Sequence, residues 1–134
     1  RRFKMRSIRG TLNRIEMIGW LGQNPELKAV GKDGKVCTFS VGTKRMAGRT
    51  NGEPQYETEW LNVEAWDRLA ERCDKALRQG SRVLVTGSVM TRSWEDKESG
   101  KRMYRTTVRA SDCIFLSAHD SDDGDSDDGD DVTA

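Results

Sequence analysis

The sequence predicts a small all-β barrel: five strands in Greek-key order, with one helix between the third and fourth. Two patterns carry this. Several segments alternate apolar and polar residues with the period of a half-buried strand, and a single segment repeats its apolar residues at helical spacing. Their order is three strands, one helix, two strands, in a chain of 134 residues. That length suits one domain with one modest core.

Residues 1–10 carry Arg1, Arg2, Lys4, Arg6 and Arg9 with no acid, a basic arm expected to be mobile at its start. The first strand, 12–21, contains Ile15, Met17, Ile18 and Leu21, and Gly19 inside it predicts a bulge or bend. Gln23-Asn24-Pro25-Glu26 is a turn, and 27–30 continues extended. Lys32-Asp33-Gly34-Lys35 predicts a hairpin centred on Asp-Gly. In the second strand, 36–43, Cys37, Phe39 and Val41 point inward. Residues 44–55 hold Lys44, Arg45, Arg49, Asn51-Gly52 and Pro54, and read as a long polar loop of the kind that usually serves function.

The third strand, 56–66, sends Leu61, Val63 and Ala65 to one face and Trp60, Asn62, Glu64 and Trp66 to the other. Asp67 suits a helix N-cap. Leu69, Ala70, Cys73, Ala76 and Leu77 then recur at helical spacing, and Gly80 suits the position just past the helix end. Arg68 and Arg78 lie on the wet sides of this helix. The fourth strand, 82–94, sends Val83, Val85, Gly87 and Val89 inward and leaves Arg92 and Trp94 on the polar face. A charged turn at 95–101 leads to the last strand, 104–116. This order is that of the OB-fold, although order alone leaves other small barrels, such as SH3-like ones, open. The organisation is therefore an arm at 1–10, one domain at 11–117 and a tail at 118–134 that should be disordered, being built mostly of Ser, Asp and Gly.

Charge is segregated. The formal net charge is +1, but Asp120 and seven further aspartates (Asp122, Asp123, Asp125, Asp127, Asp128, Asp130 and Asp131) crowd the C-terminal end. With those eight set aside, 14 acidic residues face 23 basic ones, so residues 1–119 carry +9. A basic body implies a polyanionic partner. No run is apolar enough to span a membrane, and the basic start is not followed by the apolar stretch of a signal peptide. Cys37, Cys73 and Cys113 stand far apart with no Cys-x-x-Cys pair, which fits reduced thiols in the cytoplasm and no zinc site. The one histidine, His119, has no partner for metal or catalysis. No catalytic triad, carboxylate pair or phosphate loop is present, so neither an enzyme nor a cofactor is expected.

Tryptophans on the polar faces of two strands, with cations nearby, suit stacking of unpaired bases and contact with their phosphates. The alternative for each is ordinary packing of a strand-forming residue. The chain resembles the bacterial-type single-stranded DNA-binding proteins. The resemblance lies in Leu12-Asn13-Arg14-Ile15, Ile18-Gly19-Trp20-Leu21-Gly22-Gln23-Asn24-Pro25-Glu26-Leu27, Thr58-Glu59-Trp60, Leu69-Ala70-Glu71, Leu77-Arg78-Gln79-Gly80-Ser81-Arg82-Val83, Gly87, Thr91-Arg92-Ser93-Trp94 and Phe115-Leu116. It implies an OB barrel, usually a homotetramer, that binds and protects single-stranded DNA during replication, recombination and repair, beside the nucleoid.

The resemblance further implies that Trp60, Trp66 and Trp94 stack on bases and that Arg92, Arg9 and Arg14 meet the backbone. Trp20 stands where the family commonly has asparagine, and adds either a contact or a buried subunit surface. Lys44, Arg45, Arg49, Arg68 and Arg78 complete the expected basic contacts. Glu64, on the tryptophan face, should repel phosphate. Met46 stands near a position where a further stacking tryptophan often lies. Acidic tails of the family recruit replication and repair proteins through an apolar Pro-Phe tip; here the acid is present and the tip is not. The competing expectation, from another class, is an OB adaptor of a primosome-type or RNA-binding complex with weaker nucleic-acid affinity.

Overall fold

The computed structural model describes residues 7–116; the start of the basic arm and the whole of the expected tail lie outside them. β1 (Ser7–Ile8) and β2 (Thr11–Leu12) form a short hairpin. A single sheet takes in β3 (Ile15–Leu21), β4 (Glu26–Val30), β5 (Gly34–Thr50), β6 (Glu53–Trp66), β7 (Arg82–Glu95) and β8 (Arg102–Phe115), in the order β3-β7-β8-β6-β5-β4. The helix α1 (Asp67–Ala76) lies between β6 and β7. A further pairing, Trp20 with Gly42 and Leu21 with Val41, joins β3 to β5 and brings the sheet back on itself as a near-barrel. Every ladder is antiparallel except β6–β8, where Val63 lies beside Val108 and Glu64 beside Arg109.

The core follows from the alternation. Leu21, Val41, Val63, Ala65, Val83, Val85 and Val108 are buried to within 1% of complete, and α1 adds Ala70 and Cys73, with Leu77 just beyond it. Burying one such aliphatic side chain contributes about 1.5–3 kcal/mol. The residues between them face outward. Among these, Ile18 on β3, Leu84 on β7 and Ile114 on β8 stand side by side in register, and Ile18 and Ile114 are each about half exposed.

The structure departs from the sequence reading in five places. Residues 44–55 are not a loop: β5 runs on to Thr50 and β6 begins at Glu53. Asn51 and Gly52 take φ of 55° and 81° between them, as a two-residue hairpin turn requires. Gly19 is neither bulge nor bend, since its register with Val83 is unbroken; it is a close approach, where an added Cβ would lie 2.1 Å from the Gly42 carbonyl oxygen. The turn before β5 is 31–33, with Gly31 at φ 63° and Gly34 already paired to Val30. Asp67 does not cap α1: it is the first helical residue, at φ 55°, and its carboxylate accepts the Lys35 backbone N–H at 3.3 Å. Gly80 does not close α1, which ends at Ala76 with Leu77 extended; Gly80 takes φ 90° in the turn that follows. The described end of the basic arm is also folded back, with Arg9 and Gly10 at φ 51° and 78° in the β1–β2 turn.

All three cysteines are free and buried. Burial pushes the Cys37 thiol up to about 12. A hydrogen bond with Cys113, then burial, pushes the Cys73 thiol up as well. The thiolate is the nucleophile, so a thiol held this far up is almost wholly protonated and unreactive at pH 8. Iodoacetamide at pH 8 should leave the folded chain unlabelled and label all three positions in denaturant, read by mass spectrometry. Rapid labelling of Cys37 in the folded chain would contradict the packing.

Candidate nucleic-acid interface

Strand alternation places Trp60, Asn62, Glu64 and Trp66 along the outer face of β6. Trp60 lies opposite Gly42 of β5, and its indole passes over both Gly42 and Gly22. A Cβ on either glycine would come within 2.8 Å of the ring, so both must lack one. The edge of Trp20 meets the same indole at 6.1 Å between centroids, with the planes at 79°. Trp60 is thus held from below and from the side and is still 48% exposed.

A groove runs beside this row, walled by β4, β5, β6, β7 and β8. Its cations are Lys28, Arg92 and Arg105, its acids Glu26 and Glu64, and its aromatics the half-exposed Trp94 and the buried Phe39. Asn62, Thr38 and Ser40 add neutral hydrogen-bonding groups. Arg92 and Arg105 are direct cross-strand partners, a like-charge pair that destabilises a sheet unless something offsets it. Glu64 offsets it. Both of its carboxylate oxygens accept from Arg92 Nη2 at 2.8 Å, and its side chain is only 13% exposed. Glu64 Oε1 also accepts from the indole Nε1 of Trp66 at 3.1 Å. The expectation of simple repulsion from Glu64 therefore leaves out its partners: the carboxylate orients one arginine and one tryptophan. Trp66 is further covered by the Arg109 guanidinium, 5.1 Å from the ring centroid.

The other sequence-selected residues are distributed unevenly. Lys44 lies beside Trp60 in the register, on the same face of the β5–β6 hairpin. Arg45 is on the opposite face, bonded to Glu57 at 2.7 Å and Glu59 at 2.9 Å. Arg49 donates to the Gly52 carbonyl at 3.0 Å and fastens the turn. Arg78 donates to the carbonyls of Asp74 and Leu77 at the end of α1. Arg68 is exposed at the start of α1, away from the groove lining. Arg14 bonds Glu16 at 3.2 Å and lines a second groove, between β2 and the β7–β8 pair, that also contains Arg109. Arg9 is exposed at the β1–β2 turn. Sequence reasoning missed Lys28, Arg105 and Arg109. Arg105 becomes legible only once Glu95 is placed in β7: with Glu95 opposite Arg102, counting back sets Arg105 opposite Arg92.

A polar face with half-exposed indoles above glycines, next to a groove with three cations, is a surface for flat, anionic ligands. The profile of the single-strand binding protein family matches residues 12–116, which is most of the chain. The chain belongs to the single-strand binding protein family. Single-stranded DNA-binding protein 1 of Chlorobaculum tepidum is 35% identical over 116 residues, covering 87% of this chain and 72% of that protein. Among solved structures, the Plasmodium falciparum SSB complex with single-stranded DNA superposes with a TM-score of 0.72 at 34% identity, over 80% of this chain and 97% of that one. The near-barrel with its helix between β6 and β7 is accordingly an OB-fold.

Proposed function

We propose that this chain binds single-stranded DNA along the outer face of β6 and the adjoining groove, without catalysis and with little sequence preference. The observation that carries this is the family match across residues 12–116, joined to the half-exposed indole of Trp60 and the groove holding Trp94, Arg92, Arg105 and Lys28. Stacking suits any base because every base has a π-face, and cations beside it attract the phosphates. β3, β5, β6, β7 and β8 form the five-stranded Greek-key barrel, a reading supported by the ring of pairings that returns through Trp20 and Gly42. The acidic run at 120–131 is a competitor for the basic body and a docking segment for other proteins, a role its charge supports. Reduced, buried cysteines support a cytoplasmic, nucleoid-associated protein. No described helix is long and apolar enough to cross a membrane.

Self-association is part of the proposal. Ile18, Leu84 and Ile114 form an apolar row on the outside of the barrel, and Leu116 follows at the end of β8. A row of this kind favours burial against a second copy. A tetramer mass by light scattering at micromolar concentration is expected, and a monomer mass would contradict it.

Poly-dT should quench tryptophan emission strongly, and duplex DNA of equal length should not. Trp60→Ala and Trp94→Ala should each weaken binding by about 1–3 kcal/mol. Unchanged affinity in both variants would remove this face from the site.

Glu64→Gln keeps an acceptor for the Trp66 indole and removes the charge that neutralises Arg92. The slope of log affinity against log salt should then steepen by about 0.7, the share of one added phosphate contact on a single strand. Binding at low salt should tighten. A slope identical to that of the unmodified chain would mean that Arg92 meets no phosphate.

A further inference from the structure

The β5–β6 hairpin has two unlike faces. On one, Arg45 is bonded to both Glu57 and Glu59. On the other, the cross-strand partners are Gly42 with Trp60, Lys44 with Thr58, and Met46 with Tyr56, in unbroken register. The ladder shifts only beyond Met46, before Gly48. The period of two therefore puts Tyr56, Thr58 and Trp60 in one row, with Lys44 alongside and no acid among them. Tyr56 is 61% exposed and Met46 is 47% exposed.

The hairpin does not need Tyr56 as a clasp. Its turn is set by Asn51-Gly52 and by the bond from Arg49 to the Gly52 carbonyl, and its acidic face is tied by Arg45. An aromatic ring left in solvent, about 13 Å along the strand from Trp60, with a lysine between them, repeats the aromatic-and-cation arrangement of the groove. We propose that Tyr56 is a further base-stacking site, opposite Met46 and beside Lys44, which carries a single strand outward from Trp60 along the hairpin. Its ligand is an unpaired nucleobase, with Lys44 meeting the adjacent phosphate.

This rests on the reading of the Trp60 face as the DNA site, and the test separates the two. Binding of the full chain is measured with oligothymidylates of about 8 nucleotides, within the site of one OB-fold, and of about 30. Tyr56→Val keeps a strand-forming residue that cannot stack, and Tyr56→Phe keeps the ring without the hydroxyl. Trp60→Ala serves as the reference for the underlying site. Thermal midpoints confirm that each variant is folded.

Tyr56→Val should weaken binding of the longer oligonucleotide about five- to tenfold, with a smaller loss on the short one. Tyr56→Phe should stay within about twofold of the unmodified chain on both. If Tyr56→Val binds the longer oligonucleotide as the unmodified chain does while Trp60→Ala is weakened, the proposal falls and the main site stands. If Tyr56→Phe is as weak as Tyr56→Val, the contact is through the hydroxyl and stacking is overturned. If Trp60→Ala and Trp94→Ala also bind normally, both readings fall together.

Discussion

A side chain on Gly19 would collide with the carbonyl oxygen of Gly42, so β3 and β5 can meet only because position 19 carries none. That meeting is short, Trp20 with Gly42 and Leu21 with Val41, yet it is what turns a twisted open sheet into a near-barrel. Without it the core would lie open along one seam, and β3 would present unpaired backbone there, which proteins seldom leave uncovered. The core is made largely of Val, Ala and Cys, with few large side chains to bridge a gap. Enclosure therefore has to come from the backbone, at a distance that only glycine allows.

The same seam builds the interface. Gly42 faces outward at the point where β3 arrives, and its missing Cβ leaves room for the Trp60 indole. Trp20 emerges next to Gly19 and brings its ring edge against Trp60. Closure of the barrel and placement of the first indole are one structural event. Charge is handled in a comparable way. Acids near the Trp60 face are either turned to the far side of the hairpin and paired, as Glu57 and Glu59 are, or engaged within the site, as Glu64 is.

Much of this was legible in the sequence, for a definable reason. At 60–66 one face is buried and the other wet, so the period of two is visible and the tryptophans could be assigned to the outer face. At 44–55 both faces of the hairpin are wet, so no alternation appears, and the polar composition with glycine and proline imitates a loop. The remaining signal is Asn51-Gly52, which forms the hairpin turn but, among polar neighbours and Pro54, reads equally as loop punctuation. Gly19 stands out in the sequence, but a strand glycine means a bulge, a bend or a close approach, and only the partner strand decides. Cations were the least legible. The sequence shows that Arg45, Arg78 and Arg92 are basic; it does not show that one is spent on two glutamates, one on a helix end, and one held at the groove by Glu64.

The tryptophans on the face of β6 are not equivalent, and the difference orders how a strand would engage them. Trp60 offers a half-exposed ring lying over Gly22 and Gly42, so a base stacking there, as proposed, would have open ring surface to meet. Trp66 is tied through its indole nitrogen to Glu64 and covered by Arg109. A base stacking on the face that Arg109 covers would replace the guanidinium and give up a cation–π contact of about 0.5–1 kcal/mol at an exposed site. Stacking returns about 1–3 kcal/mol, so the exchange is favourable, with a smaller margin than at Trp60. Arg109 also lines the second groove with Arg14, so a displaced guanidinium would stay beside a second cation. On the proposed interface Trp60 and Trp94 would therefore take up a strand first, and Trp66 would join by exchange, on the side of the basic residues near the N-terminal hairpin.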